Sequence, residues 1–177
     1  LPFLVSTISA VDYDNDGLLD VYLGLYAPPT KVGDVSKWAK EFFPPAIAAE
    51  IIKRGANSHK YLKRFGPPNL LLKNMGGGKF EISPAADDLA EWLDTYAAIW
   101  SDFDQDGDAD VYVCNDFGPD HLYRNDGARF VDVSQEFAGD QMQGFGMGAS
   151  WGDYDRDGRL DLYVSNMFSK AGRRITD

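Results

Sequence analysis

Aspartates recur at alternate positions in three short stretches of the sequence. Each stretch follows the pattern Asp-x-Asp-x-Asp-Gly-x-x-Asp, and the three occupy residues 12–20, 102–110 and 153–161, here called loops 1, 2 and 3. Carboxylates at this spacing, with a glycine that lets the backbone turn back sharply, suit a hard cation that takes roughly six to eight oxygen ligands. Because carboxylates so close together repel one another without a counter-ion, the pattern predicts up to three Ca²⁺ sites.

The predicted ligands occupy the same positions in each loop. Side chains at positions one, three, five and nine would bind the ion together with the backbone carbonyl at position seven. In loop 1 they are Asp12, Asp14, Asp16, Asp20 and the carbonyl of Leu18. In loop 2 they are Asp102, Asp104, Asp106, Asp110 and the carbonyl of Asp108. In loop 3 they are Asp153, Asp155, Asp157, Asp161 and the carbonyl of Arg159. Mg²⁺, which prefers a smaller octahedral shell with more water, is expected to substitute poorly.

The residues after each loop distinguish between classes of calcium loop. A helix-loop-helix hand needs a bidentate Glu at position twelve, but that position holds Leu23, Val113 and Val164. Each loop instead leads into a short β-rich segment with a tyrosine at a fixed place. Cysteine-rich and glycine-rich nonapeptide repeats do not fit either, because the chain has a single cysteine and no Gly-Gly-x-Gly-x-Asp run. The sequence therefore predicts loops that join two strands of a sheet.

The strands around the loops repeat as well. A small-residue-rich strand precedes each loop, at 6–11, 95–101 and 146–152, and a second strand follows it. Two hairpins then correspond, 69–74 with 79–83 and 121–125 with 129–133. Four short antiparallel strands at this spacing are typical of a propeller blade. The predicted fold class is all-β, with about two and a half four-stranded blades over residues 1–177.

The run Phe145-Gly-Met-Gly-Ala149 before loop 3, with the loop-and-strand unit repeated three times, resembles the FG-GAP (VCBS) repeats of integrin α-subunit propellers. The closing segment 165–175 is similar to the branch that contains cartilage acidic protein and the bacterial ASPIC/UnbV proteins. This resemblance implies a β-propeller of about seven blades and calcium between the first two strands of each blade. It also implies an extracytoplasmic role in binding or adhesion.

The bulk properties agree with an exported, metal-binding chain. The net charge is −11, which the predicted ligand aspartates account for, and no basic stripe indicates nucleic-acid binding. No membrane span is visible in the sequence. Propellers usually need about four to eight blades, so the chain is expected to be a fragment of a larger propeller. Its partners would then be the remaining blades of that propeller, or further copies of the chain through self-association.

Residues 27–68 break the blade pattern. Apolar positions at helical spacing, a possible cap at Asp34 and the stop at Pro44-Pro45 predict a small α-helical insertion within the first blade. Two interpretations remain open: a lid buried on the rim of the propeller, or a cap that binds a partner or ligand.

Three functional classes follow from the sequence. A calcium-stabilised extracellular, cell-surface or periplasmic module that binds protein or glycan is preferred. The alternatives are the propeller part of a secreted polysaccharide lyase or hydrolase, and a purely structural surface or matrix spacer. Catalysis by the chain itself is not expected, because the histidines His59 and His121 have no partners at zinc-ligand spacing and no nucleophile motif is present.

Overall fold

A computed structural model describes residues 4–26, 68–116, 118–138 and 142–166, together with isolated positions between 37 and 52. Two four-stranded antiparallel sheets and one two-stranded hairpin dominate it, so the chain is all-β as predicted. The predicted insertion at 27–68 lies almost entirely outside the described residues. Its helices and its role stay predictions.

Repeat 1 is a sheet of four antiparallel strands in sequence order. Strand β1 is Leu4–Val11, β2 is Asp20–Tyr26, β3 is Leu70–Asn74 and β4 is Phe80–Ile82. The hairpin between β3 and β4 turns over Gly76, Gly77 and Gly78, whose φ angles are 76°, 61° and 77°. Glycine adopts this left-handed backbone without the steric cost of a Cβ atom.

Repeat 2 has the same construction. It contains β5 (Asp94–Ser101), β6 (Asp110–Asp116), β8 (His121–Asn125) and β9 (Phe130–Asp132). Repeat 3 contributes the hairpin of β11 (Gly146–Gly152) and β12 (Asp161–Asn166). The inner strands β1, β5 and β11 each carry a register shift at the same place relative to their loops, at Ser6, Tyr96 and Met147. A shared β-bulge at equivalent positions confirms that the three units are structural repeats.

Short elements connect the repeats. A 3-10 helix, Pro84–Asp87, follows β4 and is capped by the hydroxyl of Ser83, which accepts from the N–H of Ala85 at 3.0 Å. Helix α1 spans Ser134–Ala138 after β9. The two-residue strands β7 (Gly118–Pro119) and β10 (Gln143–Gly144) pair with each other across the connection between repeats 2 and 3. These elements were not expected from the sequence.

Aromatic side chains fill the seams between neighbouring repeats. Trp100 of β5 packs edge-on against Tyr22 of repeat 1 at 5.7 Å between ring centroids, and its indole N–H donates to the hydroxyl of Ser9 at 2.8 Å. Trp151 of β11 stacks on Phe103 of repeat 2 at 6.0 Å. These ring contacts bring apolar surface of neighbouring blades together. Trp100 and Trp151, each two positions before its loop, therefore both pack against the preceding repeat.

The tyrosine that follows each loop does not have the same environment in all three repeats. Tyr22 and Tyr112 are 0% and 1% exposed, because the inner strand of the next repeat covers them, whereas Tyr163 is 72% exposed. Tyr163 therefore does not share the buried environment of its two counterparts. The physical reason is that the described residues place no further inner strand against the outer face of β12.

Candidate metal-binding loops

All three Asp-rich loops lie at the same end of successive repeats and share one backbone conformation. The residue at position four has a left-handed φ in each: 56° at Asn15, 64° at Gln105 and 65° at Arg156. The glycine at position six also has a positive φ, between 85° and 98° for Gly17, Gly107 and Gly158. Each loop joins an inner strand to the antiparallel second strand, as the sequence predicts.

The first aspartate organises each loop from inside. The two carboxylate oxygens of Asp12 accept from the N–H groups of Asp16 and Gly17 at 3.1 and 2.9 Å. Asp102 and Asp153 make the same pair of bonds, each at 3.0 Å, within their own loops. Each carboxylate oxygen has a second lone pair, so these hydrogen bonds orient the side chain and still leave a lone pair for a metal ion.

The last aspartate is buried in loops 1 and 2, and it is partly exposed in loop 3. Asp20 and Asp110 are 0% exposed, and each accepts N–H bonds from its own loop and from the third strand of its repeat. Burial raises the pKa of Asp110 to about 6, against the opposing effect of its backbone hydrogen bonds. Burial likewise raises the pKa of Asp20. A buried carboxylate of this kind is stabilised in its charged form by a nearby cation.

The structure brings three carboxylates together in each loop. One oxygen from each member of Asp12, Asp14 and Asp20 lies within 4.8 Å of the others, and Asp102, Asp104 and Asp110 and then Asp153, Asp155 and Asp161 form the equivalent triads. In loop 1, Asp14 Oδ1 is buried and has no hydrogen-bond partner among the described residues. Oxygen-only donors and a buried unpaired carboxylate oxygen fit a hard divalent cation.

The remaining predicted ligands are not part of these triads. Asp16, Asp106 and Asp157, at position five, each accept from the backbone N–H at position seven at 2.9 Å. The side chain of Asp108 accepts from Asn15 and from the N–H of Gly127, so it serves contacts between loops and hairpins. Ligation by the position-five side chains and by the carbonyls of Leu18, Asp108 and Arg159 stays a prediction.

Neighbouring loops are joined by side-chain amides. Asn15 Nδ2 donates to Asp108 Oδ1 at 2.7 Å, which links loop 1 to loop 2. Gln105 Nε2 donates to the carbonyl of Gly158 at 2.6 Å, which links loop 2 to loop 3. Both donors occupy position four, so the link repeats from one seam to the next. Sequence reasoning missed these contacts, although an amide at the same position in loops 1 and 2 was the available signal.

The third strand of each four-stranded repeat carries a basic residue, and this residue bonds to the Asp-rich loop in repeat 1 but not in repeat 2. Lys73 Nζ donates to the carboxylate of Asp14 and, at 2.8 Å, to Asp16 Oδ2. Its counterpart in repeat 2 is Arg124, whose guanidinium forms two bonds to Asp126 at 2.7 and 3.1 Å. In loop 3, Arg159 pairs with Asp157, and this hydrogen bond lowers the pKa of that carboxyl.

Glu91 is a buried acidic residue at the opposite end of repeat 2. Glu91 is 7% exposed, accepts from Asn115 Nδ2 at 2.6 Å, and has His121 Nδ1 3.9 Å from its other oxygen. Burial raises the pKa of Glu91, with His121 opposing the shift. No sequence signal marked this residue. The other histidine, His59, lies outside the described residues.

Replacement of Glu91 by Gln is expected to stabilise the chain at neutral pH. A carboxyl whose pKa is higher in the folded state binds more protons when folded, so its contribution to stability falls as pH rises above the pKa of the unfolded chain. The amide keeps an acceptor for Asn115 and removes this cost. Urea unfolding at pH 5 and pH 7 measures it: the gain of E91Q over the parent chain should be larger at pH 7. An equal difference at both pH values would contradict this explanation.

Comparison with known proteins agrees with the repeat architecture. Residues 102–164, which contain loops 2 and 3 and the strands of repeat 2 from β6 to β9, match the family described as FG-GAP-like repeat. This part of the chain is similar to an FG-GAP-like repeat, and the resemblance predicted from the sequence is confirmed.

One relative belongs to the predicted branch. The chain is 32% identical over 59 residues to cartilage acidic protein 1 of Xenopus tropicalis. The matched part is 33% of this chain and spans only 9% of the length of that relative. Within the described residues, no helix combines the length and apolar character needed to cross a bilayer.

Proposed function

We propose that the chain is a calcium-stabilised binding or adhesion module of an exported protein, with a protein or glycan as its ligand. The observation that carries the calcium assignment is the repetition of one Asp triad at the same end of three successive repeats. Family repeats of this kind are generally binding modules rather than enzymes. The relative is named for cartilage, and an extracellular setting, rich in calcium, suits loops whose affinity can be as weak as millimolar.

The aspartates at positions one, three and nine would have different roles around a bound ion. The first aspartate holds the loop closed, and the third-position aspartate completes the triad. In loops 1 and 2 the buried ninth aspartate also fixes the loop to the third strand of its repeat. Bound calcium would supply the positive charge that offsets three converging carboxylates. The consequence for the fold is a hairpin whose two strands are held at one end by a common ion.

Calorimetric titration with Ca²⁺ tests the assignment. The chain is expected to bind up to three ions, and Asp104→Ala should remove the site in loop 2 while the other sites persist. Asp87→Ala is the matched control, because it removes one exposed carboxylate outside the loops. The assignment is wrong if D104A and D87A bind the same number of ions, or if no heat of binding accompanies the titration.

The exposed outer faces of repeats 1 and 3 suggest what the chain contacts. Tyr163 is 72% exposed, and Tyr154, whose counterpart Tyr13 is 3% exposed, is 83% exposed. At the other end Ile8 is 68% exposed, whereas its counterpart Ala98 is 7% exposed beneath repeat 1. These exposed positions are the seam positions of an interior blade. We infer that a further repeat, or another copy of the chain, covers them.

Binding assays distinguish the proposed binding role from the enzymatic and spacer alternatives. A glycan array and a panel of matrix proteins, each probed in calcium and in chelator, should reveal a saturable ligand. Breakdown of an anionic polysaccharide would instead support the lyase or hydrolase alternative. A chain that binds calcium but has no saturable ligand would support the spacer alternative.

A further inference from the structure

Loops 1 and 2 differ in the basic side chain that lies beside their carboxylate triads. In loop 1 the ammonium of Lys73 contacts Asp14, a member of the carboxylate triad, and also Asp16. In loop 2 the equivalent triad member, Asp104, has Arg124 only within electrostatic reach, because Arg124 is hydrogen-bonded elsewhere. One loop therefore has a basic side chain of the protein against its triad, and its neighbour does not.

The cause of the difference is a residue outside the loops. Arg124 is held by Asp126, two positions further along the chain, through a pair of hydrogen bonds. The equivalent of Asp126 in repeat 1 is Met75, which offers no carboxylate. The two positions match structurally, because the N–H of Met75 bonds across its turn to Lys79 O at 2.9 Å and that of Asp126 to Arg129 O at 2.7 Å. Lys73 therefore pairs with Asp14 and Asp16 of loop 1. Arg124 pairs instead with Asp126, which lies outside loop 2.

We propose that Lys73 is an intrinsic competitor of the cation in loop 1, so that loop 1 binds calcium more weakly than loop 2, and that Met75 and Asp126 set this difference. This inference rests on the proposed function, since it concerns the affinity of the same loops. The ammonium and the ion compete for the oxygens of Asp14 and Asp16. Binding of the ion in loop 1 requires Lys73 to leave, whereas loop 2 binds it without displacing a basic side chain from its triad.

The competition has a structural benefit for the metal-free chain. Lys73 also lies over the Tyr13 ring, with Nζ 6.0 Å from the ring centroid, and Tyr13 packs against Phe130 of repeat 2 at 6.0 Å. Lys73 therefore offsets carboxylate repulsion in loop 1 next to the first seam when calcium is scarce. Loop 1 is expected to respond to calcium over a higher concentration range than loop 2.

Calcium titration of the full chain, followed by NMR of the glycine amides, tests the proposal with all three loops intact. Gly17, Gly107 and Gly158 each donate to the first aspartate of their own loop, so each reports one site. The dissociation constant read at Gly17 should exceed that at Gly107. Lys73→Met should tighten loop 1 by about tenfold, the order expected for removing one close charge at a partly exposed site. The Gly107 and Gly158 titrations should not change.

Met75→Asp supplies the sharper variant, because it leaves Lys73 in place and offers it the partner that Arg124 has. It should tighten loop 1 by a similar factor in the parent chain and have little effect when Lys73 is already Met. Asp126→Met should release Arg124 and weaken loop 2. Lys79→Met is the control for net charge, since Lys79 is exposed on the same hairpin and forms no ion pair among the described residues.

The outcomes distinguish a failure of the competition by Lys73 from a failure of the calcium assignment. Loops that bind calcium with equal affinity at Gly17 and Gly107, or a K79M effect as large as that of K73M, would overturn the competition while leaving the calcium assignment intact. An M75D effect that persists undiminished in the K73M background would do the same. No response at any of the three glycines would overturn the proposed function itself.

Discussion

Removal of calcium is expected to lower the melting temperature of the chain by roughly 3–15 °C. At about 1 mM free ion and dissociation constants of about 0.1–1 mM, each occupied loop adds about 0.4–1.4 kcal/mol to the free energy of unfolding. For a chain of this size, each kcal/mol corresponds to roughly 2–4 °C. Without the ion, the three carboxylates of each triad repel one another across less than 4.8 Å. Thermal melts in excess calcium and in excess chelator measure the difference.

Two controls identify the source of such a shift. Mg²⁺ at the same concentration should restore little of the lost stability, because it prefers a smaller octahedral shell that keeps several water molecules. A chain that carries Asp14→Ala, Asp104→Ala and Asp155→Ala together should melt at the same temperature in calcium and in chelator. Identical melts of the parent chain under both conditions would rule out calcium as a stabiliser of this fold.

Replacement of Asn125 by Ala is expected to cost about 2–4 kcal/mol of stability. Asn125 is 0% exposed, and its amide nitrogen donates to the carbonyls of Tyr13 and Ala109 at 2.7 and 3.2 Å. Its amide oxygen accepts from the N–H of Ala128 at 2.8 Å. Alanine would leave these buried groups unpaired, including a carbonyl of the neighbouring repeat.

Asn74 provides a matched control within the same chain. It makes the two local bonds of Asn125, donating to the carbonyl of Leu19 at 2.9 Å and accepting from the N–H of Gly76 at 2.9 Å. It lacks the bond to a neighbouring repeat and is more exposed, so Asn74→Ala should cost only about 0.5–1.5 kcal/mol. Urea unfolding of both variants gives the comparison. Equal losses would show that the bond to Tyr13 contributes nothing across the seam.

Repetition made much of this structure predictable. The same nine-residue spacing three times indicated strand-to-strand loops, and the predicted hairpin 121–125 with 129–133 corresponds to β8 and β9. Hydrophobic alternation and turn glycines act locally, so a single sequence records them well. The spacing placed the first, third and ninth loop positions among the predicted ligands, but it also included the fifth position, which lies outside the triads.

Contacts between repeats were not predictable in the same way. The links from Asn15 and Gln105, the cover over Tyr22 and Tyr112, and the burial of Glu91 all depend on how one sheet lies against the next. No local pattern encodes that angle. The different partners of Lys73 and Arg124 arise from a methionine in one turn and an aspartate in the other, a difference that becomes meaningful only when the two turns are superposed.

The amide links between loops also restrict how the repeats can change in evolution. Asn15 and Gln105 each donate to the next loop from position four, at 2.7 and 2.6 Å from their acceptors. An inserted or deleted residue in one loop would move the donor of that loop and the acceptor used by its neighbour. A change of length in one loop would therefore break its contacts with the neighbouring loops. We expect the nine-residue length to change in all the loops together more easily than in one loop alone.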